Sequence, residues 1–405
     1  MNKYLSFLAV LACLGNAVFG QADTSAYQKK PLQLEEANLL FSYYQQDGNN
    51  SAVTGGVGSE KLSDAATVIK VQLSKQGQKG REHTIHFDLG IDYYTSASSD
   101  KIDPSTVSSA SSSDTRIYPS VSWQMADEQK GFSLGAGTSF SNEYDYTSFG
   151  LGVNGSWFSP GHNRELGLNL QAFIDQWQVI YPIELRRQYE TENPLGLNGS
   201  GRNSFSASLV YSQVVSRRLQ IALLADGVYQ QGLLSTPFNR VYFQGESKAK
   251  VEKLPSGRWK LPLGIRANYF FGDFLIARAY YRYYIDQWGI KAHTVSLELP
   301  VKLNSFFSAY PFYRYYTQTQ ADYFAPYGAH LPGDTFFTSD YDISGFDSHF
   351  YGAGVRYGPP NGIFGVKAMD ASYGLKLIEF RYGHYQRSTN LNSDIFSIQL
   401  KFGRT

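Results

Sequence analysis

The chain has 405 residues, with 36 Lys and Arg against 35 Asp and Glu, one Cys and three Met. A net charge of +1 gives no electrostatic basis for binding nucleic acid or another polyanion, and a single cysteine rules out a disulfide framework. Aromatic residues reach 16% and charged residues only 18%, which with 38 glycines points to an all-β chain that crosses a membrane as strands.

The N-terminus reads as a secretory signal peptide over residues 1–22. Asn2 and Lys3 form a short basic start, Tyr4 to Leu14 an apolar stretch, and small residues follow at Gly20 and Ala22, with cleavage expected after one of these two. The apolar stretch falls short of the ~20 residues of a spanning helix. Cys13, in Val10-Leu11-Ala12-Cys13, has the outline of a lipoprotein box, but Leu11 and the apolar run beyond Cys13 favour an ordinary signal. Residues 23–36 then read as a short periplasmic segment, too small for a plug domain, and residues 37–405 as the barrel.

From there, period-two alternation dominates. Ile69, Val71 and Leu73 alternate with Lys70 and Gln72, and Ile85, Phe87, Leu89, Ile91 and Tyr93 with His86, Asp88, Gly90 and Asp92. Leu166, Leu168 and Leu170 repeat the pattern, as do Leu261, Leu263 and Ile265. One face of each strand therefore meets an apolar medium and the other meets water. The runs are long enough for the tilted strands of an outer-membrane barrel.

Connections alternate in length. Short ones fall near 76–80, 127–131, 159–163, 216–218, 272–273 and 304–305, and long ones near 47–61, 96–113, 182–202, 232–257 and 318–347. This predicts an antiparallel up-and-down barrel of about sixteen strands, with tight periplasmic turns and long extracellular loops. A long turn is expected at Pro359 to Tyr373, and short outer hairpins near Glu143 and Asp286. The pairs Tyr43-Tyr44, Tyr93-Tyr94, Tyr283-Tyr284 and Tyr315-Tyr316 end outward-running strands and read as an aromatic girdle. The last strand, with Phe396, Ile398, Leu400 and Phe402, resembles the recognition signal of the barrel-assembly machinery, although Gly403, Arg404 and Thr405 follow the final Phe.

Few residues carry chemistry by motif. Seven histidines are scattered, and His83 and His86 have opposite parity, so they cannot share a metal. No serine-nucleophile elbow, zinc-protease helix or phosphate-binding loop occurs, so the chain does not read as an enzyme, although a rim-located hydrolase needs no such motif. Asp340, Asp342, Ser344 and Asp347 have the start of a calcium loop. Tyr351 stands where an EF-hand requires Glu, so a solvated loop is the favoured reading. No firm metal site and no cofactor are expected.

The lumen offers the mechanistic handle. Strand parity turns Arg266, Arg278, Arg282, Arg314, Arg356 and Arg381 inward from the second half, and Asp88, Asp92, Asp175 and Asp226 from the first. Basic and acidic residues on facing walls would set a transverse field that filters polar solutes. The competing reading pairs these charges with one another in a filled lumen.

Three stretches carry a family resemblance: Tyr44 to Glu60, Asp92 to Ser98 with the Ser-rich run to Asp114, and Ser339 to His349. They resemble a bacterial outer-membrane barrel family labelled domain of unknown function, number 3570. The resemblance implies an outer-membrane barrel of Gram-negative bacteria with neighbouring genes for a small lipoprotein and a flavin-transferring enzyme, hence a redox or electron-transfer setting. No haem-attachment motif of the Cys-x-x-Cys-His kind supports that setting here.

Three functions follow. The first is a pore or transporter for small polar or anionic solutes. The second is a barrel scaffold holding a periplasmic or lipoprotein partner in a redox or export assembly, and the third is a rim-located outer-membrane hydrolase. The expected partners are outer-membrane lipids, the assembly machinery during biogenesis and a small lipoprotein, with no nucleic acid.

Overall fold

Alternating strands expose a row of unpaired backbone groups at each sheet edge, and in an apolar layer only closure satisfies them. The computed structural model, which describes residues 31–77, 80–95, 113–192, 201–368 and 371–404, closes in this way. The signal segment and most of the Ser-rich connection after Thr95 lie outside those residues. In chain order the first eight strands are β1 (Gln33–Asp47), β2 (Leu62–Gln76), β3 (Glu82–Thr95), β4 (Ser113–Asp127), β5 (Phe132–Asn142), β6 (Tyr146–Phe158), β7 (Arg164–Trp177) and β8 (Gly201–Ser216). Next come β9 (Leu219–Gly232), β10 (Gly257–Phe271), β11 (Leu275–Asp286), β12 (Lys291–Glu298, resuming at Val301–Lys302) and β13 (Phe307–Gln318). The last are β14 (Phe346–Tyr357, resuming at Phe364–Ala368), β15 (Ala371–Arg387) and β16 (Leu391–Arg404).

Every neighbour is antiparallel, and β1 pairs with β16 from Glu36↔Gly403 to Asp47↔Asn392, which closes the ring. The first strand begins at Gln33, four positions before the barrel boundary read from the sequence. β1, β2, β4 and β10 each have 15 residues, about 50 Å at 3.3 Å per residue, enough to cross a bilayer at barrel tilt.

The sheet contains 18 hydrogen-bonded segments because prolines interrupt two strands. In β12, Pro300 lacks a donor, yet Leu299 donates to the Pro311 carbonyl and Ile276 donates to that of Pro300, each at 3.0 Å, so the ladder continues. In β14 the chain leaves the ladder after Tyr357↔Ile378, turns through Pro359, Pro360 and Gly362 (φ 77°), and rejoins at Phe364↔Leu375. The long turn expected at 359–373 is therefore mostly strand: two adjacent prolines force a detour and the hairpin continues beyond it.

The outer face is apolar and bare. Ile69, Phe87, Leu151, Leu168, Leu263, Val295, Val355 and Ile398 are among the exposed large side chains, and they recur on nearly every strand. A continuous apolar surface of this extent needs lipid around it. The four tyrosine pairs divide between the two faces, because consecutive strand residues point to opposite sides. Tyr43 and Tyr93 are exposed outside. Tyr44 donates to Gln46 at 2.7 Å, Tyr94 to Glu143 at 2.6 Å, Tyr284 to Asp286 at 2.8 Å and Tyr316 to Gln318 at 2.6 Å, all on the lumen side. Only half of the expected girdle therefore meets lipid.

The most deeply buried core lies in the long loops. One two-stranded ladder, Arg240–Val241 against Lys250–Val251, packs with helix α1 (Ile183–Glu192), where Tyr181, Leu185 and Tyr189 enclose Val251. A second cluster joins Leu254, Trp288, Ile290 and Ala321. Arg240 ties three loops together, forking onto Glu184 at 2.5 and 2.9 Å and donating to the Val53 carbonyl at 2.8 Å. These contacts make a dome at the long-loop end, opposite both ends of the described chain.

Candidate solute path in the barrel lumen

The register assigns each inward side chain without ambiguity. All ten charged residues singled out from parity lie on the face opposite the exposed apolar belt. The six arginines occupy β10 to β15, one contiguous half of the wall.

That half is built in layers. Gly354 stands opposite Tyr310, and a Cβ on it would meet the tyrosine ring at 2.0 Å. Gly383 leaves similar room for Phe350, and both Gly352 and Gly383 lie against Phe312; the two rings sit 5.1 Å apart, tilted by 46°. Flattened against the wall by these glycines, the rings form a floor for guanidinium groups. Arg381 lies 4.2 Å from the Phe312 centroid and 5.7 Å from Tyr310, Arg314 5.0 Å from Phe350, and Arg356 5.8 Å from Tyr310. Arg266 sits 5.9 Å from Tyr280 in the same manner. Ring faces attract a cation without neutralising it, so each guanidinium is held while its charge stays available.

Carboxylates offset part of the arc. Arg278 pairs with Glu298 at 2.8 Å, Arg381 reaches the same glutamate at 3.9 Å, and Arg356 pairs with Glu379 at 2.7 Å. Arg282 approaches Asp226 at 3.9 Å. Among the described residues, Arg266 and Arg314 have no carboxylate at ion-pair distance. Six arginines thus meet three carboxylates.

The other half holds one such ring-held guanidinium, Arg116 at 4.8 Å from the Tyr118 ring opposite Gly90, and is otherwise lined differently. Ser120, Ser122, Ser139, Asn154, Asn169 and Gln171 line a shallow hollow of about 240 Å³ in the wall of β4 to β7, with Gly137, Gly150 and Gly152 at its back. Asp88 stands opposite Lys70 in the register and Asp92 accepts from Tyr118 at 2.9 Å. Asp175 is buried, accepting from Ser148 at 2.7 Å and pairing with Arg202 at 3.0 Å. The separation into one acidic and one basic wall is therefore incomplete. Glu298 and Glu379 stand among the arginines, while Lys70 and Arg202 stand among the aspartates. Parity alone could have found these four; the glycine-backed floor is visible only once the register sets ring against glycine.

The calcium-loop candidate does not converge. Asp340 caps a short turn by accepting from the Asp342 amide at 2.9 Å, Asp342 pairs with Arg387 at 2.6 Å, and Ser344 donates to the Tyr341 carbonyl at 2.8 Å. Asp347, at the start of β14, accepts from Tyr315 at 3.0 Å. Among the described residues no group of three or more His, Cys, Asp or Glu is placed to hold a metal ion. Three histidines instead mark the outer face: Tyr281 bonds His293 at 2.8 Å, Tyr313 bonds His349 at 2.7 Å, and His384 bonds Asp394 at 2.8 Å.

In the dome, burial pushes the Glu252 carboxyl up, even though the Thr236 amide, Asn239 and Thr338 all donate to it. Burial raises Asp340 well above the usual carboxylate range, and Asp342 and Glu252 nearby add to the shift.

Fold and lumen together define a closed β-barrel of the outer-membrane type. The chain belongs to the family described as Protein of unknown function (DUF3570), whose model matches residues 103–372. No curated protein matches the sequence. Similar solved structures include a bacterial polysaccharide outer membrane secretin at 9% identity, covering 91% of this chain and 98% of that one with a TM-score of 0.43. Pseudomonas aeruginosa OpdQ is 8% identical, with coverages of 93% and 99% and a TM-score of 0.43. OccK2 (OpdF) from the same organism is 10% identical, with coverages of 91% and 97% and a TM-score of 0.40.

Proposed function

We propose that the chain is an outer-membrane pore for small polar or anionic solutes. The reading is carried by the arginine arc, in which ring faces hold guanidiniums in excess of the local carboxylates on the inner wall of a sixteen-strand barrel. Barrels of this size hold an aqueous channel, and a fixed positive excess there concentrates anions and excludes cations. Single-channel recording of the purified barrel in planar bilayers tests it. Stable unitary currents are expected, and their absence from a well-folded preparation contradicts it.

One observation favours a second reading. The packed dome at the long-loop end has the buried core of a small soluble fold, as suits a barrel that holds a partner rather than passing solute. That scaffold predicts no unitary current and co-purification of a periplasmic or lipoprotein partner.

A further inference from the structure

We propose that Arg266 and Arg314 form a two-point subsite for a dicarboxylate; this deepens, and rests on, the pore reading above. The register joins Arg266, Tyr280, Ser296 and Arg314 in one hydrogen-bonded row across β10, β11, β12 and β13. Three strand spacings of about 4.8 Å separate the two arginine backbones by about 14 Å. Both side chains are exposed to the lumen, and only hydroxyl-bearing residues, Tyr280 and Ser296, lie between them.

These two differ from the rest of the arc. Glu298 lies one pleat below the row and is already engaged by Arg278 and Arg381, while Glu379 is engaged by Arg356. Arg282, one pleat above, leans toward Asp226 on β9. Among the described residues Arg266 and Arg314 are held only by the rings of Tyr280 and Phe350, which leaves their donor forks open to a ligand. A guanidinium fork matches a carboxylate with two parallel hydrogen bonds. One compact anion meets one fork, whereas two carboxylates on a short chain meet both, with the hydroxyls of Tyr280 and Ser296 facing the span between.

Isothermal titration of the purified barrel with succinate, butyrate and inorganic phosphate tests the assignment. Succinate is expected to bind about tenfold more tightly than the other two, the effect of one added charge-assisted contact. Arg266→Gln or Arg314→Gln should each bring succinate down to the butyrate level, and the double variant should lose little more, because a two-point ligand needs both ends. Arg164→Gln, at the short-turn end of β7 away from the row, should keep the preference. Heat-modifiable migration reports folding, and Arg314→Lys, which keeps the charge and loses the fork, should fall between wild type and Arg314→Gln. Equal binding of phosphate or butyrate, or independent additive losses in the two single variants, overturns the subsite. Succinate preference in a barrel that passes no current leaves the subsite standing and removes the pore, while current without succinate preference does the reverse.

Discussion

The two halves of the lumen wall share one backbone architecture and solve the problem of lining it differently. From β4 to β7 the hollow is lined by serines and amides, and its glycines are packed mostly by polar side chains, Gly135 by Asn154, Gly137 by Ser122 and Gly150 by Ser139 with Phe173, so this thinner stretch of wall carries few charges. From β10 to β15 glycines are occupied by aromatic rings, and the rings carry arginines. A Cβ added at Gly152 on the thin side would make only ordinary contacts, the nearest at 3.6 Å to Gln171, while one at Gly354 would strike the Tyr310 ring at 2.0 Å. Gly152 thus fronts open space in the hollow, while Gly354 seats a ring that carries arginines, as Gly90 on β3 seats Tyr118 beneath Arg116.

The largest effect should come from reversing charge in the arginine arc. Arg278→Glu with Arg282→Glu replaces two positive charges by two negative ones beside the existing Glu298 and Asp226, and should move ion selectivity toward cations. The shift should be greatest at low salt, where the Debye length exceeds ~10 Å. Reversal potentials of wild type and double variant measure it.

Next in size is the ring floor itself. Gly354→Ala should destabilise the barrel by about 1–3 kcal/mol, as overpacking does, whereas Gly152→Ala should be neutral within about 0.5 kcal/mol. Urea midpoints of heat-modifiable migration compare the two, and equal loss at both sites would dissolve the distinction between the halves.

The dome above the arginine half is fastened by Glu252, whose loop joins β9 to β10 and which accepts from Thr338 at 2.6 Å in the loop before β14. Glu252→Ala strands three buried donors and should favour loop opening by about 1–3 kcal/mol, read as faster amide exchange at Val241 and Val251 with the strand amides unchanged. The raised carboxyl of Glu252 sets a pH dependence. An acid whose folded pKa lies above its unfolded value stabilises the fold fully at low pH and loses that contribution as pH rises from the ordinary carboxylate range through the folded value. Exchange at Val241 should therefore open more readily at pH 8 than at pH 5, and Glu252→Gln should flatten the difference.

The smallest effect is expected at Asp88 on β3, which faces Lys70 on β2; Asp88→Asn should raise anion selectivity only slightly in the same bilayer recordings.

Much of this was legible in sequence because strands crossing an apolar layer must alternate. Strand number, loop lengths and the facing of Arg266, Arg314 and Asp88 all follow from period two. The Tyr pairs show where position along the chain misleads, since Tyr43 and Tyr44 share a level but not a face. Pro359 and Pro360 read as a turn because prolines usually stop strands, and only the ladder shows that β14 resumes. The stacking of Arg381 over Phe312 across from Gly352 needed the register, as did the pairing of Arg278 with Glu298, because both join residues from neighbouring strands that no linear spacing relates. The dome packs residues from loops far apart in the chain, Val53 and Glu184 against Arg240, with no period to announce it.

The central claim is that the arginine half makes the lumen selective for anions. The most direct measurement is the reversal potential of the wild-type barrel in a planar bilayer under a tenfold KCl gradient at neutral pH. A potential of the sign set by chloride, growing as both solutions are diluted, is the predicted result. A potential of the opposite sign, or one near zero in a barrel that conducts well, would contradict the account.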